Sequence, residues 1–354
     1  MPDFLWRVDE SPARRIALAP LWLVEGPYRL TAWLHRQMYV QGLRRRVRLD
    51  PDVVSVGNLA VGGSGKTPVV GWLASELRAR GRSVAILSRG VGGRRQREVN
   101  VVSDGERVLL GPADAGDEPV LLAGQARGVP VFAGNNRVAL GLRASALFGA
   151  EILIIDDGFQ HHRLARDVDL VCVDAQLGLG NGHVLPRGPL REPAAALRYA
   201  DAIVWTRVSD GAARPVLPAL ATEKPQFGIE MIARGLRRIG GRTLDPPETL
   251  RGRTVGLLAA IARPDRLRAE LGALGAEVSM QRVFADHHRY RRSDIASLDP
   301  GVTWVTTEKD AVKIPASWAG ETEICVLEQE VRPSHRGALI DFVLEKLQRR
   351  RASL

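Results

Sequence analysis

The sequence predicts an α/β fold: a parallel sheet covered by helices on both faces, a second and smaller α/β unit after it, and an amino-terminal helical segment. Three observations carry this. From Asp52 onward, short apolar runs rich in β-branched residues alternate with stretches of helical period; strands that are apolar throughout belong to sheets buried on both faces. The first run opens into a glycine-rich loop and then a helix, VGNLAVGGSGKT at residues 56–67. A chain of 354 residues is also long enough to bury two cores.

Residues 1–50 stand apart from the rest. They hold three of the seven tryptophans (Trp6, Trp22, Trp33) and Tyr28 and Tyr39, beside Arg14, Arg15, Arg44, Arg45, Arg46 and Arg48. Aromatic rings flanked by arginine suit a bilayer interface, and the same segment also reads as a pair of ordinary helices packed on the main unit. The apolar run Ile16 to Val24 contains Pro20 and is far shorter than the roughly 20 residues a membrane span requires. No small-residue cleavage site follows it, so it does not read as a signal peptide.

Residues 51–206 carry the main alternation: DVVSVGN, a helix from Lys66 to about Arg80, VAILSR, VNVVSD, a helix near Glu118 to Arg127, and VPVFAG. A helix from Arg137 to Ala150 follows, then EILIIDD, VDLVCVDA and ADAIVWTRV. Prolines at 215, 218, 225, 246 and 247 mark residues 207–252 as a connector with one hairpin. Alternation resumes with TVGLLAAI, a helix from Pro264 to Leu274, EVSMQRVF, GVTWVTTE and EICVLEQ. A helix from about His335 to Arg350 then closes a smaller unit spanning residues 253–354.

A net charge of +10 points to acidic partners: nucleic acid, an anionic membrane face, or phosphorylated small molecules. Nucleic acid is not expected, because the aromatics gather in the amino-terminal segment instead of interleaving with arginines along a groove. Arginine supplies nearly all the charge; lysine stands only at Lys66, Lys224, Lys309, Lys313 and Lys346. Cys172 and Cys325 lie in apolar runs and read as buried thiols, with no disulfide framework or zinc spacing, which fits a reducing compartment.

In the loop at 56–67, Gly62, Gly63 and Gly65 let successive backbone N–H groups converge on an anion at a helix N-terminus. Ala60, Val61, Gly62, Gly63, Ser64, Gly65, Lys66 and Thr67 are therefore the candidate nucleotide cradle, with Lys66 toward the phosphates and Thr67 toward Mg²⁺. Ala60 stands where the usual pattern has glycine, which a methyl tolerates at negative φ. Asp156 and Asp157 end an apolar strand, where a magnesium-ordering carboxylate is needed. Asp117 and Glu118 suit either a helix cap or a site. His161 and His162 follow the acid pair, Asp286-His287-His288 follows a later strand, and LPRGPLREP presents Arg187 and Arg191 in a proline-stiffened loop. These residues alone leave open a kinase of a soluble hydroxyl compound or a membrane-associated regulatory ATPase.

The segments SVGNLAVGGSGKTPVV, AILSRG, GDEPVLLA, LIIDDGFQHHRLARDVDLV, LPRGPLREP, FADHHRY and TTEKDAVK together resemble the tetraacyldisaccharide 4'-kinase family, in that family's order, over about residues 53–313. Similar members also carry a non-glycine at the Ala60 position. The resemblance implies a P-loop NTPase-like domain and a smaller α/β domain joined by a two-stranded linker, with an amino-terminal helix on the membrane. It implies ATP and Mg²⁺ as cofactors and the 4'-hydroxyl of tetraacyldisaccharide 1-phosphate as acceptor, giving lipid IVA in lipid A biosynthesis. The site would face the cytoplasm at an anionic bacterial inner membrane. Carried over by position, Lys66 and Thr67 match the phosphate and magnesium residues, Asp156 and Asp157 the acid pair, Asp117 the general base, and His287 its catalytic partner. Arg191 and His161 are the expected substrate contacts. Three departures from the family pattern alter expected contacts: Val91 in place of a tyrosine, Ala260-Ile261-Ala262 in place of Gly-Ile-Gly, and Arg187 in place of a small residue.

Overall fold

A computed structural model describes residues 18–209 and 211–352. The expectations for Trp6, Arg14 and Arg15 lie outside those residues.

Among the described residues, helix α1 (Trp22–Val40) precedes the sheet. The alternation that follows is β1 (Asp52–Asn58), α2 (Lys66–Ala79), β2 (Val84–Ser88), β3 (Asn100–Ser103), α3 (Pro112–Ala115), α4 (Asp117–Gln125), β4 (Val131–Ala133), α5 (Arg137–Phe148), β5 (Ile152–Asp156), β6 (Val168–Asp174) and β7 (Ala202–Thr206). Beyond these come α6 (Ala219–Thr222), β8 (Gln226–Arg238), β9 (Thr254–Ala259), α7 (Pro264–Ala273), β10 (Glu277–Val283), α8 (Arg292–Ala296), β11 (Trp304–Thr307), α9 (Glu308–Ala311), β12 (Ile324–Pro333) and α10 (Ala338–Arg351).

The twelve strands among the described residues join one sheet, in the order β10-β9-β11-β12-β8-β7-β6-β1-β5-β2-β4-β3. Two joints are antiparallel, β8 with β12 and β3 with β4. Among its described residues the connector thus yields no local hairpin: β8 is a 13-residue strand whose long partner, β12, lies almost a hundred residues on. Among those residues only the bridge between Leu236 and Asp245 returns locally.

Every residue of β1 is buried because the strand sits between β5 and β6 with cover on both faces. On one face Val54 and Val56 pack with Val70, Leu73 and Leu77 of α2. On the other, Val53 meets Leu140 and Ala144 of α5. Burial of each such aliphatic side chain contributes roughly 1.5–3 kcal/mol. The first core also takes in Leu339, Ile340, Val343 and Leu347 of α10. The helix expected to close the smaller unit therefore packs on the larger one, because its apolar stripe faces α2 and β6. The smaller unit has its own cores, around Val255, Leu257 and Leu271 and around Leu258, Trp304 and Ile324. Cys172 is buried and Cys325 half-buried, both as free thiols.

Helix α1 inverts the usual pattern. Its buried residues are Glu25 and Arg36, while Trp22, Leu23, Leu30, Trp33, Leu34 and Val40 are exposed. At helical spacing these six fall within a stripe about 120° wide, and Val24, also exposed, lies outside it. No helix among the described residues is long and apolar enough to cross a membrane.

Candidate active site

The glycine-rich loop leaves the carboxyl end of β1 and enters α2 through Gly65, whose φ of 74° is left-handed. A Cβ there would stand 2.5 Å from Met231 Cε, the movable end of a flexible side chain, so it is the left-handed backbone that requires glycine. The Asn58 amide braces the loop from inside, donating to Ala60 O at 2.6 Å and Ser64 Oγ at 2.8 Å. Thr206 Oγ1 donates to Ser64 O at 2.7 Å from the end of β7. Val61 N–H donates to Pro189 O at 2.8 Å, and Ala60 bridges Leu190, so the segment 185–193 lines the loop's other edge. Thr67 is buried in the first turn of α2.

Lys66 Nζ stands 3.6 Å from Asp157 Oδ1. Burial acts to lower its pKa, but Asp157, Glu118 and Asp156 outweigh burial and the ammonium is held above its ordinary value. The two aspartates differ in state. Burial, with Glu118 and Asp157 adding to it, pushes the Asp156 carboxyl up to about 7 against the pull of Lys66 and Ser88. Its Oδ2 accepts from Ser88 Oγ at 3.3 Å, while its Oδ1 is buried with no hydrogen-bond partner among the described residues. Asp157 is also buried, yet Lys66 and Arg191 hold it down at about 2. Arg191 Nη1 donates to both Asp157 oxygens, at 2.7 and 2.9 Å.

The expected base and its partner meet across the two units. Gly116, at φ 93°, lies so close to the Val91 carbonyl that a Cβ would sit 2.7 Å from it, and this tight turn starts α4 at Asp117. The loop carrying the Val91 departure thus touches the site through its backbone. His287 Nδ1 lies 3.0 Å from Asp117 Oδ2 and 3.1 Å from Oδ1, donating to the carboxylate. The His287 N–H donates to Ala260 O at 3.3 Å, so the Ala260 departure falls on the residue that seats the histidine. Burial favours the neutral acid at Asp117, but the His287 hydrogen bond and the charges of Lys309 and Lys313 hold its pKa below the ordinary range. The bond to Asp117 raises the pKa of His287 over the opposing effects of burial and Lys309.

Among the described residues, the non-glycines with positive φ are Asp157 (58°), Arg207 (56°) and His287 (61°), and all three stand here. For each, such a conformation costs roughly 1–3 kcal/mol.

His161 lies behind the acid pair. Burial and the charges of Arg137 and Arg166 push it down to about 4, and its Nε2 is buried without a partner among the described residues. Arg187 does not face the loop tip: it is buried, with its guanidinium 5.1 Å over the Trp22 ring of α1 and in contact with His183. Sequence reasoning missed Lys309 and Lys313. Lys309 Nζ lies 3.3 Å from His287 Nε2, 3.4 Å from Glu118 Oε1 and 3.6 Å from Asp286 Oδ1. Lys313 Nζ pairs with Asp310 at 2.8 Å and lies 4.0 Å from Asp117 Oδ2. The signal was present: in a chain with five lysines, two fall together in TTEKDAVK just past a strand.

A family model described as tetraacyldisaccharide-1-P 4'-kinase (LpxK) matches residues 17–348. A tetraacyldisaccharide 4'-kinase of Anaeromyxobacter sp. strain Fw109-5 is 44% identical over 337 residues, covering 91% of this chain and 89% of its own. One from Anaeromyxobacter dehalogenans strain 2CP-1 is 46% identical over 328 residues, covering 89% and 86%. Among solved structures, the chain is similar to LpxK from Aquifex aeolicus in complex with ATP, at a TM-score of 0.78 and 29% identity, covering 93% of this chain and 99% of that one. Matched over almost its whole length by the family model, and this close to relatives along about nine-tenths of it, the chain belongs to the tetraacyldisaccharide-1-P 4'-kinase family.

Proposed function

We propose that the chain transfers the γ-phosphoryl group of ATP to the 4'-hydroxyl of tetraacyldisaccharide 1-phosphate, giving lipid IVA and ADP, while resting peripherally on the cytoplasmic face of an inner membrane. The observation that carries the reading is the Asp117–His287 contact at 3.0 Å, made between two units beside the Lys66 loop. A sugar hydroxyl is a poor nucleophile, so a carboxylate must take its proton as oxygen bonds to the γ-phosphorus and the bond to the bridging oxygen breaks. In this reading Asp117 accepts that proton. His287 fixes the carboxylate's orientation, while Lys309 and Lys313 keep it ionised.

The loop amides from Gly62 to Thr67 and the Lys66 ammonium would hold the phosphates. Mg²⁺ fits the residues present: Asp156 has a buried carboxylate oxygen with no partner, and Thr67 opens the adjoining helix. No cluster of three or more His, Cys, Asp or Glu able to hold a metal forms among the described residues; phosphate and water would complete the coordination, as is usual for this ion. When bound, the ion offsets charge on the phosphate oxygens. Arg191 and His161 are the proposed substrate contacts. The exposed stripe of α1 supports membrane docking, with lipid chains covering Leu23, Leu30 and Trp33.

Incubating the protein with γ-labelled ATP and tetraacyldisaccharide 1-phosphate tests this: label should move to the lipid. Folded protein that labels no lipid would reject the reading. Rapid ATP hydrolysis without lipid would favour a regulatory ATPase.

A further inference from the structure

His287 has two ring nitrogens, and the groups that face them differ. Nδ1 points at the Asp117 carboxylate of the larger unit. Nε2 lies 3.3 Å from Lys309 Nζ and 3.8 Å from Asp286 Oδ2. An ammonium carries three donors and no acceptor, so a hydrogen bond between Lys309 and Nε2 exists only while that nitrogen keeps its lone pair. The imidazole proton then stands on Nδ1, where it is donated to Asp117. A second proton, on Nε2, would break the bond to Lys309 and set two cations 3.3 Å apart.

The fold builds Lys309 into this place. Its helix, α9, is capped by Thr307, whose Oγ1 accepts from Asp310 N at 3.2 Å. Asp310 Oδ2 accepts from the Ala260 N–H at 3.0 Å, and Ala260 O accepts from the His287 N–H. One residue just past β9 therefore seats both the histidine and the helix that bears the lysine. Glu118 Oε1 at 3.4 Å, Asp286 Oδ1 at 3.6 Å and Asp117 Oδ2 at 4.0 Å surround the ammonium. Burial opposes its charge, but those carboxylates outweigh burial and hold its pKa above the ordinary value. The charge is thus present wherever His287 titrates. Lys313 Nζ, also close, faces Asp310 at 2.8 Å and Asp117 at 4.0 Å.

We infer that Lys309 is a positioning residue: by donating to Nε2 it keeps His287 in the neutral, Nδ1-protonated form beside Asp117. This rests on the reading of Asp117 as the base. Next to an imidazolium the carboxylate would be a weaker base toward the sugar hydroxyl, whereas a neutral donor orients it and leaves its proton affinity in place. The hydrogen bond to Asp117 raises the pKa of His287, and burial and the Lys309 charge restrain that rise.

Histidine-selective nitrogen NMR on the full chain tests this, with His287→Gln identifying the resonance among seven histidines. In the wild type the neutral ring should carry its proton on Nδ1. In Lys309→Met the titration midpoint of His287 should move up by about one pH unit or more, and Lys309→Arg, which keeps charge and donors, should return it. The kcat of Lys309→Met should fall about tenfold near pH 7 and regain the wild-type value toward about pH 9, where the ring is neutral in both, with the KM for ATP unmoved. A midpoint that stays or falls overturns the inference, as does a neutral wild-type ring protonated on Nε2. A loss of kcat that is equal at every pH makes the lysine merely structural and overturns it too. A midpoint that rises while kcat holds at every pH upholds the lysine's action on His287 and sinks Asp117 as the base.

Discussion

Asp117 and His287 each favour the charged form of the other, and this mutual effect depends on pH in a defined sense. His287 is raised above its ordinary value of about 6.5, so its contribution to stability is complete below that pH and is lost as pH rises through the raised value. Asp117 is depressed, so its contribution is present above about 3.9 and disappears as pH falls through the lowered value. His287→Gln should therefore lower the thermal midpoint most near pH 5–6 and progressively less toward pH 9, followed by circular dichroism. A midpoint difference that is flat with pH would show that no proton is linked to the pair. If Asp117 is the base, as proposed, the same variant should reduce kcat by about 10²-fold or more and leave the KM for ATP nearly unchanged, since His287 contacts Asp117 and not the donor. Much of the candidate site's layout was legible in the sequence, since Lys66 opens a helix behind a glycine-rich loop and Asp156 and Asp157 stand at the end of an apolar strand. The lysines were not: their chemistry depends on α9 and the turn after it placing them beside an aspartate almost two hundred residues earlier, and no spacing rule encodes that contact.

Helix α1 is attached by charge and exposes its apolar side chains. Arg36 donates to Glu192 through Nε at 2.5 Å and Nη2 at 2.7 Å, with both side chains buried. Glu25 Oε1 accepts from Val184 N at 3.3 Å and lies 2.9 Å from His183 Nδ1. Tyr28 Oη donates to the Arg191 carbonyl at 3.1 Å, so the helix touches the same segment that lines the glycine-rich loop. Arg36→Ala leaves Glu192 buried and unpaired, a penalty of roughly 3–5 kcal/mol. The expected outcome is release of α1 with the sheet intact, read as lost amide-exchange protection confined to residues 22–40. On the opposite face, Leu30→Asp combined with Trp33→Asp should cut partition onto anionic phospholipid vesicles at least tenfold without moving the thermal midpoint, since both side chains are already exposed. Co-sedimentation measures it, and unchanged binding would remove α1 from the docking surface.

At the scale of the whole molecule, one sheet passes through both units by way of β8 and β12, and the chain's last helix returns to the first core. Ile340→Ala should destabilise the protein by about 2–5 kcal/mol in chemical denaturation, the cost of a fully buried aliphatic side chain, although α10 follows the smaller unit in sequence. A loss under about 1 kcal/mol would mean that α10 is an accessory. The parallel order around β1 could be read from alternating apolar runs, because burial on both faces leaves a compositional mark. The β8–β12 ladder could not, since its antiparallel pairing joins distant, mixed-polarity strands with no turn between them. The inverted dress of α1 also has a practical consequence. A surface that keeps its ionic pairs inward and its tryptophans and leucines outward will hold detergent through purification and self-associate once the detergent is dialysed away, so an oligomer seen in bare buffer reports grease meeting grease.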